Sequence, residues 1–141
     1  MSIRQISISL ENVPGKFSEV LDYLSENEIN IIGLSVADTA DISIVRLIAN
    51  PPEKAVNILK SIGYSVKVTE VLAVEAPDYP GGLDAILRPL KKFSININYL
   101  YTCLRIGGKT VLVIGVDRMA EAAQVLKKNL VYIYDNEIFK L

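Results

Sequence analysis

Leu10-Glu11-Asn12-Val13-Pro14-Gly15-Lys16-Phe17 and Ala76-Pro77-Asp78-Tyr79-Pro80-Gly81-Gly82-Leu83 are two versions of one phrase. Gly15 and Gly81 lie 66 positions apart, and at that offset Leu24 falls on Leu90, Ile29-Asn30-Ile31 on Ile95-Asn96-Ile97, and Leu34 on Leu100. A gapless match over about two dozen positions, with its apolar spacing kept, marks an internal repeat, and a repeat decides architecture before any other reading. The 141 residues therefore divide into two halves, 1–70 and 71–141. Units this small bury a limited core and are expected to lean on each other.

Outward from the two Pro-Gly breaks, each half shows the same run of elements. Ile6, Ile8 and Leu10 alternate with Ser7 and Ser9, the period of two that marks a half-buried strand. Phe17, Val20, Leu21 and Leu24 follow at helical spacing. Ile32, Leu34 and Val36 alternate in a second strand, Asp38-Thr39-Ala40-Asp41 reads as a hairpin turn, and Val45, Leu47 and Ala49 give a third strand. Pro51-Pro52 opens a helix with Ala55, Val56, Leu59 and Ile62 on its buried face and Gly63 at its C-terminal cap. Val66 and Val68 begin a fourth strand.

In the second half, Leu72, Val74 and Ala76 form a strand, and Leu83, Ile86, Leu87 and Leu90 line a helix. Pro89 inside that helix predicts a kink or a shortened segment. A strand over 96–104, a turn at Gly107-Gly108 and a strand over 111–116 come next. Ala122, Val125 and Leu126 mark the last helix, and 131–134 the last strand, followed by a short tail. No Gly or Pro interrupts 66–76, so the last strand of the first half should run directly into the first strand of the second and set their relative orientation. The order in each half is β-α-β-β-α-β, the ferredoxin-like split arrangement. The expected fold is α+β: two ferredoxin-like units, each an antiparallel sheet with both helices on one face.

Composition narrows the function. Net charge is −1 with no basic block, which disfavours nucleic-acid and anionic-membrane partners. The single Cys, Cys103, allows no intrachain disulfide and points to a reducing compartment. No apolar run is long enough to span a bilayer, so a cytoplasmic location is expected. The chain has no His, and so lacks the commonest general acid–base and transition-metal ligand near neutral pH. No metal site, no cofactor and no catalysis are expected.

The Pro-Gly breaks carry the chemistry. Each sets a helix N-terminus, where free backbone N–H groups and the positive end of the helix dipole can cradle a carboxylate. Asn12 adds a donor and an acceptor; Asp78 adds acceptors suited to an ammonium group. Both residues also suit plain capping or turn roles. Asn30 and Asn96 precede the second strand of each half and suit the left-handed conformation that ends a helix. Tyr99, Tyr101 and Cys103 share one strand face, and Tyr132 and Tyr134 share another. Leu100 matches Leu34, so these tyrosines should point away from the helices and be covered, within the chain or by a second one. The third strand, Val111-Leu112-Val113-Ile114, has no aromatic residue, which argues against an RNA-binding sheet.

Asn-x-Pro-Gly at 12–15, followed by an amphipathic helix and Ile29-Asn30-Ile31, resembles the ACT domain family. Asp78-Tyr79-Pro80-Gly81 with Ile95-Asn96-Ile97 resembles the same pattern, and the two stretches with their elements cover essentially the whole chain. The resemblance implies a tandem-ACT protein that binds a free amino acid or similar ligand at domain interfaces and regulates a partner enzyme, as a homodimer. It implies ligand contacts from Asn12, Val13, Pro14, Gly15 and Lys16 with Ile31 and Ile32, and from Asp78, Tyr79, Gly81 and Gly82 with Ile97 and Asn98. Two other readings share the scaffold. One is a small hydrolase of acylphosphatase type, using an Arg and an Asn; the other is a structural dimerisation module without ligand. Shared topology alone does not argue for catalysis.

Overall fold

Alternating apolar and polar residues build β1, Ile3–Glu11, and the chain continues through α1 Lys16–Glu26, β2 Asn30–Asp38, β3 Ile42–Asn50 and α2 Pro52–Ser61. β4 Lys67–Ala76, α3 Gly82–Lys92, β5 Ile97–Thr102, β6 Thr110–Val116, α4 Met119–Lys128 and β7 Ile133–Tyr134 follow. The structure is a computed structural model and describes residues 1–103 and 109–140. The Gly107-Gly108 turn expected from sequence, with Leu104 before it, lies outside the described residues.

The chain divides into two compact units, Arg4–Thr69 and Glu70–Leu141 with Met1–Ile3. In the first, β3 lies antiparallel between β2 and β1. Ile6, Ile8 and Leu10 of β1 meet Val45, Leu47 and Ala49 of β3, with Val20, Leu24, Ala55 and Leu59 supplied by the two helices. Fully burying one such Leu, Ile or Val is worth about 1.5–3 kcal/mol, so the alternation seen in sequence is what holds the helices to one face. In the second unit all pairings are antiparallel in the order β5-β6-β4-β7. Its core joins Leu72, Val74 and Ala76 to Leu112 and Ile114, Ile86 and Leu90, and Ala122 and Leu126. β4 is one strand of ten residues, and the boundary between the units falls inside it, between Thr69 and Glu70.

Several local expectations are corrected. α3 runs through Pro89 to Lys92 without shortening. The carbonyl that loses its donor belongs to Ala85, which is exposed, so water can take the place of the missing N–H. Leu83 is not on the buried face; it is 46% exposed, whereas Gly82, Ile86 and Leu90 of the same helix are buried. Leu34 and Val36 lie opposite the core residues Leu47 and Val45 yet are exposed. β2 is the last strand in the order, with no strand beyond it among the described residues. Val68 is exposed as well, whereas Val66 packs on the core. The last strand is only Ile133–Tyr134, and the tail is not featureless: Asn136–Lys140 forms a 3-10 turn with Ile138 buried.

Asn30 and Asn96 do not end the helices. All four helices close on residues of positive φ, two positions before Asn30 and Asn96 in α1 and α3: Glu28 (59°), Gly63 (97°), Ser94 (56°) and Leu130 (62°). Each closure brings the next N–H back to a carbonyl of the last turn: Ile29 to Leu24, Tyr64 to Leu59, Ile95 to Leu90 and Val131 to Leu126, at 3.0–3.1 Å. This is the Schellman motif. It recurs four times with four different residues in the left-handed position. Leu130 is the least suited of them, being 94% exposed, so its side chain returns little packing for the strain. Leu130→Gly is expected to raise stability by about 1 kcal/mol, the lower end of the cost of holding an L-residue left-handed. Chemical denaturation would check this; a loss of stability would mean that the side chain packs in solution.

Candidate functional site

The two Pro-Gly loops fold alike. Gly15 sits at φ 85° and Gly81 at φ 86°, each the last residue before its helix and neither helped by a side-chain cap. Only glycine adopts this conformation without cost. The loops are closed by Lys16 N–H to the Val13 carbonyl (3.4 Å) and Gly82 N–H to the Tyr79 carbonyl (2.9 Å). Among the described residues no partner is seen for the amides of Phe17 and Ser18 in the first turn of α1, or of Leu83 and Asp84 in that of α3. The dipole at these ends is partly answered by Glu19 and Asp84, and Asp84 is in turn held by Arg88.

The structure gives Asn12 a definite job. Its Nδ2 donates to the Thr39 carbonyl at 3.0 Å, and its backbone N–H to the Asp41 carbonyl at 3.0 Å. The loop is thereby tied to the tip of the β2–β3 hairpin. Val13, Pro14 and Gly15 remain exposed and Lys16 is half-buried. In the second unit, Asp78 and Tyr79 line a surface cleft of about 460 Å3 with Pro77, Leu83, Thr110 and Leu112. Gly82 is buried, its Cα face turned onto the Pro77 carbonyl.

The other candidate residues stand elsewhere. Ile31 packs on the core and Ile32 is buried outside that cluster; Ile97 packs on the second core and Asn98 is exposed. Ile32 and Asn98 are each the extra residue of a β-bulge. Ile31 faces Ala49 while Gly33 faces Ile48, and Ile97 faces Val116 while Tyr99 faces Gly115. Both halves thus break their ladder at the same repeat position. Bulges re-aim side chains and concentrate beside functional sites. Asn98 Oδ1 accepts from Asn96 Nδ2 at 2.8 Å, and the Asn96 N–H donates to Asp117 Oδ1 at 3.1 Å. Asn96 and Ile97 line their own cleft of about 450 Å3, with Lys91.

Within one unit, loop and bulge do not meet. Leu10 is opposite Ser43, near the start of β3, and Ile31 is opposite Ala49, near its end. Six residue steps along β3 separate them, about 20 Å. In the second unit Ala76 is opposite Thr110 and Ile97 opposite Val116, the same separation.

The tyrosine face points away from the helices, as expected: Tyr101 lies opposite Val113 and Tyr134 opposite Ala73, neither of which belongs to the helix-side core. Tyr101, Tyr134 and Cys103 are buried within the chain, but Tyr132 is 53% exposed. Tyr99 lies over Gly115, leaving no room for a Cβ there. The Tyr132 hydroxyl donates to Glu137 at 3.2 Å, which raises its pKa. Burial pushes the Cys103 thiol up to about 11, so it is an inert thiol near neutral pH. A hydrolase of acylphosphatase type would need a free arginine, but Arg4 pairs with Glu53, Arg88 with Asp84, and Arg118 with Glu121 and the carbonyls of Phe93 and Ser94. Arg46 has a partner too, and Arg105 lies outside the described residues. Sequence reading missed Thr39, Leu83, Thr110 and Asp117 as neighbours of the candidate residues. The repeat gives no signal for them, since at its offset Thr39, Thr110 and Asp117 fall on Arg105, Ile44 and Pro51.

A family model described as an ACT domain pair matches residues 1–141, and the chain belongs to that family. Protein BT0572 from Bacteroides thetaiotaomicron is similar in structure, with 32% identity and a TM-score of 0.92 over 100% of this chain and 98% of that one. The ligand-free regulatory subunit of aspartate kinase from Thermus thermophilus is 13% identical, with a TM-score of 0.63 over 89% of this chain and 91% of that one. The regulatory subunit from Thermus flavus is 14% identical, with a TM-score of 0.60 over 90% and 92%. At those identities the last two speak for the fold alone. No curated protein sequence matches. Among the described residues, no helix is long and apolar enough to cross a membrane.

Proposed function

We propose that the chain, with 1–70 and 71–141 as its two ACT-like domains, is a non-catalytic sensor of a free amino acid that regulates a separate enzyme of amino-acid metabolism. The observation that carries this reading is that both halves keep the same two breaks in regular backbone, although their side chains differ. One is a left-handed glycine at the helix entry, and the other is a bulge at the start of the second strand. The resemblance in fold to regulatory subunits of aspartate kinase supports a regulatory role. In this reading the ligand carboxylate lies on the first-turn amides of α1, and the Asn12 Oδ1 orients its ammonium group.

Loop and bulge can form one site only if they come from different copies. β2 ends the strand order, with Leu34 and Val36 exposed on it and Ile42 and Ile44 exposed on the neighbouring β3. An unpaired apolar edge is a template for a second strand. Antiparallel pairing of β2 with β2 of a second chain would set Ile31 and Ile32 of one beside Asp38 and Thr39 of the other. Thr39 is the residue that holds Asn12. Val36→Lys is therefore expected to convert a dimer to monomer in analytical ultracentrifugation and to weaken ligand binding with it. A dimer unaffected by this change would place the contact elsewhere.

Calorimetry against the standard amino acids tests the reading directly. Asn12→Ala should weaken binding of the responding amino acid by about 1–2 kcal/mol, between the values of an ordinary hydrogen bond and one to a charged group. Ser7→Ala, in the middle of β1, should leave affinity unchanged. No heat with any amino acid, or parental affinity in a folded Asn12→Ala variant, would leave the loop as a structural turn.

A further inference from the structure

The repeat supplies an internal control for what the fold requires of its surface. In the first half, the last turn of α1 and the residue after it read Ser25-Glu26-Asn27. Asn27 closes that helix with its side chain, Nδ2 donating to the Tyr23 carbonyl at 2.8 Å. At the matching positions the second half has Lys91-Lys92-Phe93. Phe93 is 54% exposed, on a helix that ends with the same backbone bonds. The end of α2 reads Lys60-Ser61-Ile62 before its left-handed Gly63; the end of α4 reads Lys127-Lys128-Asn129 before its left-handed, exposed Leu130. The first half thus ends its helices with one lysine, Lys60, beside Ser25, Glu26 and Ser61, whereas the second half carries four lysines and the exposed Phe93 and Leu130.

Lys92, Phe93 and Lys128 of these, with Glu121, Gln124, Val125 and Asn129, line a groove of about 360 Å3 between α3 and α4. Glu121 is neutralised by Arg118, whose Nη1 lies 2.7 Å from Oε2. Among the described residues none of the four lysines is in an ion pair. Part of their charge answers the negative helix ends, but that need gives no reason for an exposed Phe or for the groove.

We propose that this groove docks an acidic segment of a partner protein. An apolar side chain of the segment would enter between Phe93 and Val125, and its carboxylates would face Lys92 and Lys128 on the groove's walls. Charge complementarity selects the acidic partner, and the narrow groove between two helices, with its one aromatic wall, selects a peptide over an extended polyanion. The surface is separate from the amino-acid loops and supplies a means of attachment to another protein.

The test uses the full-length chain, isotope-labelled for NMR, titrated with a synthetic acidic peptide in which Glu and Asp flank one Leu. Saturable shifts confined to residues 91–94 and 121–130 are expected. Lys92→Glu/Lys128→Glu should weaken binding tenfold or more at constant salt. Phe93→Ser should weaken it at least fivefold without lowering the melting temperature, because the ring is exposed. The same peptide with Ser in place of Leu should bind as weakly as the Phe93→Ser pair. Shifts spread over the surface, equal binding of the Leu and Ser peptides, or parental affinity in either variant would overturn the proposal. So would binding to phosphatidylserine vesicles with no response to the peptide.

Discussion

Gly15→Val is expected to abolish binding of the responding amino acid, at least a hundredfold, in a calorimetric titration. Nothing lies within 4 Å of the place where a Cβ on Gly15 would stand, so the protein itself has room for a side chain. What a side chain would fill is the open approach to the first-turn amides of α1. Val brings a second effect, because φ of 85° is costly for a β-branched residue; holding an L-residue left-handed costs about 1–2 kcal/mol. Gly15→Asn separates the two. Asn tolerates the left-handed conformation, so its melting temperature should stay near that of the parent while its affinity falls. If both variants bind as the parent does, the ligand does not use this loop.

Gly82→Val is expected to cost about 3 kcal/mol of stability or to prevent folding, the upper range for side chains forced into filled space. Here the reason is contact rather than conformation. A Cβ at Gly82 would overlap the Pro77 carbonyl oxygen, and backbone cannot rotate aside as a side chain can. Gly81 makes the contrast: a Cβ there meets nothing within 4 Å but needs φ of 86°. Gly81→Ala should therefore cost only about 1–2 kcal/mol. Denaturant unfolding of the two variants side by side distinguishes the mechanisms, and equal losses would refute the distinction. The matching position in the first half is Lys16, which is half-buried. The second glycine of Pro80-Gly81-Gly82 thus answers a tight approach peculiar to its own half.

The fold was legible because its core residues keep strict periods. Ile6-Ile8-Leu10, Val45-Leu47-Ala49 and Leu72-Val74-Ala76 lie in the cores in the alternation their spacing predicts. What stayed hidden was irregularity. A bulge shifts the faces by one residue, so Ile32 was grouped with Leu34 and Val36, whereas Ile31 shares their side of the ladder. No composition rule marks a bulge at Ile32 or Asn98. The left-handed helix ends were sought at Asn30 and Asn96, where the residue type suited them. They fall instead on Glu28 and Ser94, because hydrogen bonds from the following residue, not residue preference, set the position. Of the candidate site, the two glycines were legible through the repeat. The tie from Asn12 to Thr39 was not, since it joins residues 27 positions apart.

β4 has one consequence of another kind. The line between the two units is drawn inside a strand, between Thr69 and Glu70. A gene cut there would leave each fragment ending in half a strand, with backbone groups that had lost their neighbours. Duplication could create this chain, but later division would injure both products. Recombination can therefore move the two halves only together, and the pair rather than the single domain is the unit that descent can pass on.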